Sequence, residues 1–284
     1  SSSALSTATA VSALVLVEKN SPQTETLPKQ LQPLVDRGLN YLAGCQNSDG
    51  GWGDTDKSLS NIATTMLVRA ALELSGQVDR HRDLSQKADR YLDAAGGLNG
   101  LRKRYGRDKT FAVPILTNCA LAGLVPWREV APLPFELACF PHAVYRFLRM
   151  PVVSYAVPAL VAIGQARYFH RKPWNPVTRL VRRAAISPSL KKLQRMQPHS
   201  GGFLEATPLT SFVVMSLAGS GRTDHPVVKK GVQFLVDSVR QDGSWPIDTN
   251  LATWVTTLAI NALDAGGRNV AELGCLDWLL SCQH

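Results

Sequence analysis

Aspartate clusters are the first feature to look for in this sequence, because grouped carboxylic acids share protons and can act as an acid catalyst. Two segments come nearest to such a cluster. Residues 54–57 read Asp-Thr-Asp-Lys, with two acids on a predicted turn, and residues 248–250 read Asp-Thr-Asn, with one. A lone carboxylate on a turn is not made strongly acidic by its surroundings. Neither segment is a cluster that could make one of its acids strongly acidic.

Cysteine and histidine give no sign of a metal site. The five cysteines are an odd set without a CxxC pair, which argues against a disulfide framework and against a zinc finger. The six histidines are scattered along the chain. We therefore expect no metal, no cofactor, and reduced thiols in a cytoplasmic compartment. The cysteines are Cys45, Cys119, Cys139, Cys275 and Cys282.

Positive charge is concentrated in the middle of the chain. The net charge is +9, yet residues 97–195 hold 17 Lys and Arg against three acids, so this stretch alone carries +14. The phosphates of nucleic acids and anionic lipids are the usual partners of such a stretch. A solvated face that keeps the chain soluble is the alternative interpretation.

A repeat organises the sequence around these residues. Each complete copy contains the end of a predicted helix, a Gly-rich turn and an aromatic residue. A Gln or Val lies six residues before the aromatic residue, on the other side of the turn. Helices rich in Ala, Thr, Ser and Leu follow, and the last copies lie 42 to 44 residues apart, which is typical of stacked helix pairs. The aligned pairs are Gln46 and Trp52, Gln197 and Phe203, Val239 and Trp245, and Gln283 with no aromatic residue after it.

The turn has a physical rationale. Gly at positive φ lets the chain leave a helix, Asp caps the next N–H groups, the indole N–H binds a carbonyl, and the Gln amide binds further carbonyls. Residues 4–11 resemble the following helix of an earlier copy whose turn is absent. The last copy, residues 276–284, is the start of a further repeat, so we expect the chain to be a piece of a longer protein.

These repeats resemble the QW repeats of squalene–hopene and oxidosqualene cyclases, whose fold is an all-α double ring of helices, the α/α toroid. Four segments between the repeats, residues 107–111, 121–127, 132–137 and 153–160, resemble successive segments of a bacterial squalene–hopene cyclase in the same order. The resemblance implies one toroid domain over residues 1–284.

It also implies a function. Cyclases of this family protonate a linear polyene such as squalene through a DxDD motif, which is absent here, so the isolated chain is expected to be inactive. This segment would supply cavity wall beside a second toroid of the same polypeptide. Two positions that are aromatic in typical hopene formers are polar here, Asn118 and Thr210, and Trp174 and Phe212 are the candidate aromatic wall residues.

A membrane surface is the expected partner. Residues 150–166 are uncharged and broken by two prolines, and a basic and aromatic run follows at 167–172. This stretch is short for a spanning helix but suits a helix dipped into one leaflet, with Val157 and Leu160 in contact with lipid. A buried core helix is the alternative, and composition alone favours it. The basic flank, together with the one-sided membrane attachment that the resemblance implies, favours a peripheral, monotopic protein and no nucleic acid partner.

Two other functions remain open. A non-catalytic helical-ring scaffold that binds lipid or protein needs no acid, which fits this chain as well. A protein prenyltransferase β subunit uses a similar toroid but requires zinc held by Asp, Cys and His, and no Asp-x-Cys with a suitable His is present.

Overall fold

The computed structural model describes residues 2–22, 27–106, 109–141, 145 and 156–282. Gln283 and residues 107–108 and 150–155, which belong to predicted motifs, lie outside the described residues. The prediction of an all-α ring of helices is confirmed. The helices are α1 (Ala4–Asn20), α2 (Leu27–Gly44), α3 (Ile62–Ser75), α4 (Arg82–Ala94), α5 (Gly97–Tyr105), α6 (Lys109–Leu121), α7 (Val157–His170), α8 (Pro176–Met196), α9 (Thr207–Ala218), α10 (Pro226–Ser238), α11 (Ala252–Ala265) and α12 (Leu276–Ser281), with short 3-10 helices at Phe135–Cys139, Phe203–Glu205 and Val270–Glu272.

The chain divides into two compact units, Ser1–Ile247 and Asp248–His284. The first unit contains α1 to α10, and the second contains α11 and α12. A single toroid domain over residues 1–284 thus stays a prediction, and the ring of helices is a property of the first unit.

A closed circuit of helices forms the interior of the first unit. Helix α1 packs against α3, α3 against α6, α6 against α7, α7 against α9, and α9 again against α1. Helix α1 is buried on every side from Ser6 to Val17, and α9 is buried almost throughout. A helix whose small and apolar residues cover its whole circumference has no solvent face, so it must lie inside. Helices α2, α4 and α10 are instead amphipathic and lie outside this circuit.

The two ends of the first unit meet and close the ring. Strand β1 (Ser2–Ser3) pairs antiparallel with strand β2 (Trp245–Pro246). The hydroxyl of Ser2 also donates to Asp242 at 2.7 Å. Helix α1 therefore follows the third turn of the repeat in space, although it comes first in the sequence. The turn that the sequence lacks before residues 4–11 is supplied by residues 242–245.

Candidate functional site

The aromatic residue of each Trp turn is locked by its indole. Trp52 Nε1 donates to the Leu42 carbonyl at 2.8 Å, and Trp245 Nε1 donates to the Leu235 carbonyl at 2.7 Å. In both cases the acceptor lies ten residues earlier, on the helix that enters the turn, and the indole is buried. The predicted indole hydrogen bond is thus present in both copies, and it ties the turn to the end of the preceding helix.

In the first two copies, the Gln amide bridges two backbone segments. Gln46 Nε2 donates to the carbonyls of Gly50 at 2.9 Å and Leu84 at 3.0 Å. Gln197 Nε2 does the same with Gly201 at 2.8 Å and Val227 at 3.0 Å. One acceptor lies in the same turn and the other in the first turn of the next outer helix. The amide therefore connects neighbouring repeats in addition to satisfying its own turn.

Each turn also rests on a basic residue of an outer helix. Gly50, Gly201 and Gly243 have positive φ values of 88°, 86° and 84°. A Cβ at these positions would lie 2.7 Å, 2.2 Å and 2.8 Å from the backbone carbonyl oxygens of Lys87, Lys230 and Arg37, respectively. Only glycine allows both the backbone conformation and this approach. The third turn contacts α2, so the order of turns is cyclic around the first unit.

The acidic residues of the turns act as caps. Asp49 Oδ1 accepts from Gly51 N at 3.0 Å and from the Ser60 hydroxyl at 2.7 Å. Asp242 Oδ1 accepts from the backbone N–H of Ser244 at 3.0 Å. Burial acts to raise the pKa of Asp242. The hydrogen bonds from Ser244 and Ser2 have a larger effect in the opposite direction, so the pKa is lowered. An ionised cap of this kind accepts hydrogen bonds and has no proton to donate.

Asp54 and Asp248 come from the two acidic segments of the sequence. Asp54 Oδ1 accepts from Asn61 Nδ2 at 2.8 Å and from the Thr64 hydroxyl at 2.6 Å. Burial raises the pKa of Asp248. In the described part of the chain, no three His, Cys, Asp or Glu side chains come together in a group that could hold a metal ion.

A threonine completes the turn, and the sequence pattern did not reveal it. We call Thr7, Thr65 and Thr210 the turn threonines, and Trp245, Trp52 and Phe203 the turn aromatics. Each turn threonine accepts, through Oγ1, the backbone N–H of its turn aromatic, at 3.0, 3.0 and 2.9 Å, respectively. The turn threonines are fully buried. The sequence did contain one indication of this role, because a Thr recurs near the start of each of these inner helices.

The four predicted cavity residues occupy different environments. Thr210 is a turn threonine, and Phe212 is buried in the core on the same helix. Asn118 is fully buried on α6 and donates through Nδ2 to the Ser12 hydroxyl at 3.2 Å, while its Oδ1 has no protein partner. Trp174 is 97% exposed. Three of the candidates thus lie in the interior of the first unit and the fourth lies on its surface.

The predicted lipid-contact residues Val157 and Leu160 lie on α7. Both are partly buried and pack against the hydrophobic core, and Val161, Ala162 and Ile163 beside them are fully buried. Among the described helices, none is both long enough and apolar enough to span a bilayer.

A more exposed apolar surface follows α7. We call Trp174, Val177, Leu180 and Val181, which precede or open α8, the α8 ridge. These side chains are 97%, 68%, 69% and 49% exposed, respectively. Sequence reasoning missed the ridge because it lies within a basic segment. The spacing 177, 180, 181, which places residues on one face of a helix, was the available signal.

A cleft of about 310 Å³ opens where α1, α2 and α3 meet. Its lining includes Glu18, Lys19, Gln32 and Ser75. Burial raises the pKa of Glu18, and the neighbouring Asp36 adds to the shift. Lys19 Nζ donates to the Leu74 carbonyl at the end of α3. The charged and amide groups of this lining suit a polar ligand. An apolar polyene would displace water from these groups without replacing its hydrogen bonds, which costs binding free energy.

Residues 23–173 match the family described as the squalene-hopene cyclase N-terminal domain. A squalene hopane cyclase of Aspergillus fumigatus is 31% identical over 143 residues. That alignment covers 48% of this chain and 17% of the fungal protein. The match thus spans a minor part of the curated relative's length.

Proposed function

Because the chain belongs to the squalene-hopene cyclase family, we propose that it forms a helical ring of a class II terpene cyclase that folds and cyclises a linear polyene. The observation that carries this proposal is the family match over residues 23–173, more than half of the chain. The closed circuit of inner helices in the first unit supports it, since such a ring is a rigid wall for a neighbouring cavity.

In this proposal the chain contributes structure and cavity wall, and the proton comes from elsewhere in the same polypeptide. Alkene protonation needs a carboxylic acid that is neutral yet strongly acidic, as clustered aspartates provide. Here Asp49 and Asp242 accept hydrogen bonds within turns, and Asp54 accepts one from Thr64 in the first turn of α3, so all three serve the fold. The carbocation that follows protonation persists only in a dry cavity whose aromatic faces stabilise it.

We further propose that the substrate is a lipophilic isoprenoid such as squalene, taken up from a membrane that the protein contacts on one side. The exposed apolar side chains of the α8 ridge support this contact better than Val157 and Leu160, which pack against the core. A non-catalytic ring that binds lipid or protein is the second candidate. It needs no acid of its own, which fits the capping roles of Asp49 and Asp242.

Product analysis distinguishes the two candidates. The complete gene product that contains this chain is incubated with squalene in detergent micelles, and the extract is analysed by gas chromatography and mass spectrometry. We expect cyclised isomers with the mass of squalene from the complete protein and none from the 284-residue chain. A complete protein that binds squalene and returns it unchanged would establish the scaffold instead.

The wall role has a separate test. A photoreactive squalene analogue bound to the complete protein should label peptides of this chain. Labelling confined to other parts of the polypeptide would contradict the wall role while leaving the cyclase assignment intact.

A further inference from the structure

We propose that the cleft between α1, α2 and α3 is a binding site for a primary alkylammonium ion, such as one end of a small linear diamine. We call this cleft, whose lining includes Glu18, Gln32 and Ser75, the amine cleft. Carboxylates would bind the ammonium group, and valines would contact the methylene chain. The site is independent of the proposed cyclase function, so the failure of one leaves the other standing.

The amine cleft is formed largely by the ends of helices. Glu18 and Lys19 lie in the last turn of α1, and Ser75 is the last residue of α3. Gln32 extends the lining from the N-terminal half of α2. The carbonyl groups at a helix C-terminus carry a partial negative charge, so the two helix ends that meet here favour a cationic ligand.

The lining carries a carboxylate that lacks a partner. Among the described residues, none donates a hydrogen bond to the Glu18 side chain or forms an ion pair with it. The ammonium group of Lys19 is engaged elsewhere, since it donates to the Leu74 carbonyl at the end of α3. Burial and the charge of Asp36 raise the pKa of Glu18, and Lys19 offsets only part of this effect. An ammonium group beside Glu18 would stabilise its charged form.

A second carboxylate, that of Asp36, is held in place beside the cleft. Asp36 Oδ1 accepts from the side-chain amides of Gln32 and Gln77, both at 3.0 Å. Its Oδ2 accepts no hydrogen bond from the part of the chain that the structure describes. Glu18 and Asp36 together carry one negative charge more than Lys19 balances, so a single ammonium group would neutralise the three. Because two amides already orient Asp36, little ordering is required on binding.

Apolar residues complete the fit to an alkyl chain. Val15 and Val35 line the cleft and are buried in the core. An alkylammonium ion contacts carboxylates with its head and apolar side chains with its stem. A calcium ion instead takes about six to eight oxygen ligands and gains nothing from a valine. The cleft volume of about 310 Å³ also leaves room for a chain of several methylene groups. The lining therefore favours an amine over a metal ion.

A bound amine would connect three helices of the first unit. It would join the C-terminal end of α1 to α2 and α3, whereas the hydrogen bond from Trp245 to Thr7 fixes the N-terminal end of α1. A ligand that binds the folded chain and not the unfolded chain stabilises the fold by mass action. We therefore expect the amine to raise the melting temperature.

The test is isothermal titration calorimetry of the 284-residue chain with linear diaminobutane, and with butanediol as a neutral probe of the same length. We expect saturable binding of the diamine and none of the diol, because the diol lacks the positive charge. Thermal unfolding in the presence of each probe should show a higher melting temperature with the diamine only.

The charge variant is Glu18→Gln, which keeps the shape of the side chain. Loss of its charge-assisted hydrogen bond should weaken diamine binding on the order of 10-fold to 100-fold. The matched control, Asp93→Asn, removes one negative charge from an exposed position on α4 and should bind like the parent. Because the surroundings of Glu18 disfavour its charge, Glu18→Gln should unfold at or above the parent temperature at neutral pH. A loss of binding is thus distinguished from a loss of folding.

A second variant tests the volume of the cleft. Ser21 is part of the lining, and Ser21→Leu would fill the cleft with an apolar side chain while both carboxylates stay unchanged. It should abolish saturable binding of the diamine. A diffuse attraction of the amine to acidic residues would instead be unaffected by this variant, and that result would overturn the site.

The remaining outcomes identify the ligand. A lysine capped at both backbone ends carries the same ammonium group, so tighter binding of this probe would place the group on a partner protein, and tighter binding of the diamine would indicate a free amine. Absence of saturable binding by either probe, or an unchanged affinity in Glu18→Gln, would overturn the proposal. Calcium ions that displace the diamine and bind more tightly would show a metal site instead. The squalene assay decides the cyclase function in every case.

Discussion

Replacing a turn threonine by valine is the sharpest perturbation of the ring. The substitution keeps the shape of the side chain and removes the hydroxyl that accepts the N–H of the turn aromatic. That N–H is buried, so without an acceptor it costs about 1–3 kcal/mol per turn. The other hydrogen bond of the hydroxyl, such as Thr65 Oγ1 to the Asn61 carbonyl at 2.8 Å, is worth little, because that carbonyl also accepts the helical N–H of Thr65.

For a unit of this size, 1 kcal/mol corresponds to about 2–4 °C in melting temperature, so we expect each variant to lose about 2–12 °C. The three losses should add, because the turns are separate. The combined loss of about 3–9 kcal/mol approaches the whole stability of a typical domain, so the triple variant should fail to fold. Thermal unfolding followed by circular dichroism measures each loss, and amide hydrogen exchange at the turn aromatic shows whether its N–H has become unprotected.

Two matched controls are available. Thr9 and Thr117 are equally buried in inner helices, and their hydroxyls donate only to carbonyls of their own helix, at 2.9 and 2.8 Å. Their valine variants should unfold near the parent temperature. If Thr7→Val costs no more than Thr9→Val, the claim that Thr7 closes the ring through Trp245 is wrong.

Three further predictions concern the first unit. A Cβ at Gly38 would lie 2.6 Å from Val11 Cγ2, so Gly38→Ala should lower stability by about 1–3 kcal/mol in urea titrations, whereas Gly44→Ala, with nothing within 4 Å, should be neutral or stabilising. Gln46→Met leaves two carbonyls without their side-chain donor and should cost about 1–3 kcal/mol, and an unchanged urea midpoint would contradict the bridging role. Burial and a neighbouring arginine lower the pKa of His225 from 6.5, so the unfolded chain takes up the proton first and stability falls with pH from about 6.5 down through the folded pKa. His225→Asn keeps a capping acceptor, and it should reduce the change of the urea midpoint between about pH 8 and pH 5. If the midpoint still changes with pH as in the parent, His225 is not the cause of the pH dependence.

The local features of the repeat could be predicted from the sequence. The positive φ of Gly50, the indole hydrogen bond of Trp52 and the hydrogen bond from Gln46 to the Gly50 carbonyl all follow from chemistry within one copy. The ring closure could not be predicted in this way, because Thr7 and Trp245 are 238 residues apart. Such a pairing depends on how many repeats complete one circuit, which no single copy encodes.

The surfaces were harder to predict than the turns. The segment around Val157 and Leu160 is uncharged, and the basic run that follows it favoured lipid contact over a buried core helix. The structure packs these residues against the core, because a helix that is apolar on most sides is covered by its neighbours. The environment of the candidate cavity residue Asn118 could not be predicted either. The partner of Asn118 is Ser12, on a helix of another repeat, which the sequence pattern does not place beside it.

The central claim, that this chain works within a proton-initiated polyene cyclase, is tested most directly by the origin of the added hydrogen. The complete gene product is incubated with squalene in D₂O and in H₂O, and the cyclised products are compared by mass spectrometry. Because a class II reaction begins with protonation of an alkene, we predict one solvent deuterium in each cyclised molecule formed in D₂O. Products with no deuterium, or squalene recovered unchanged, would contradict the claim.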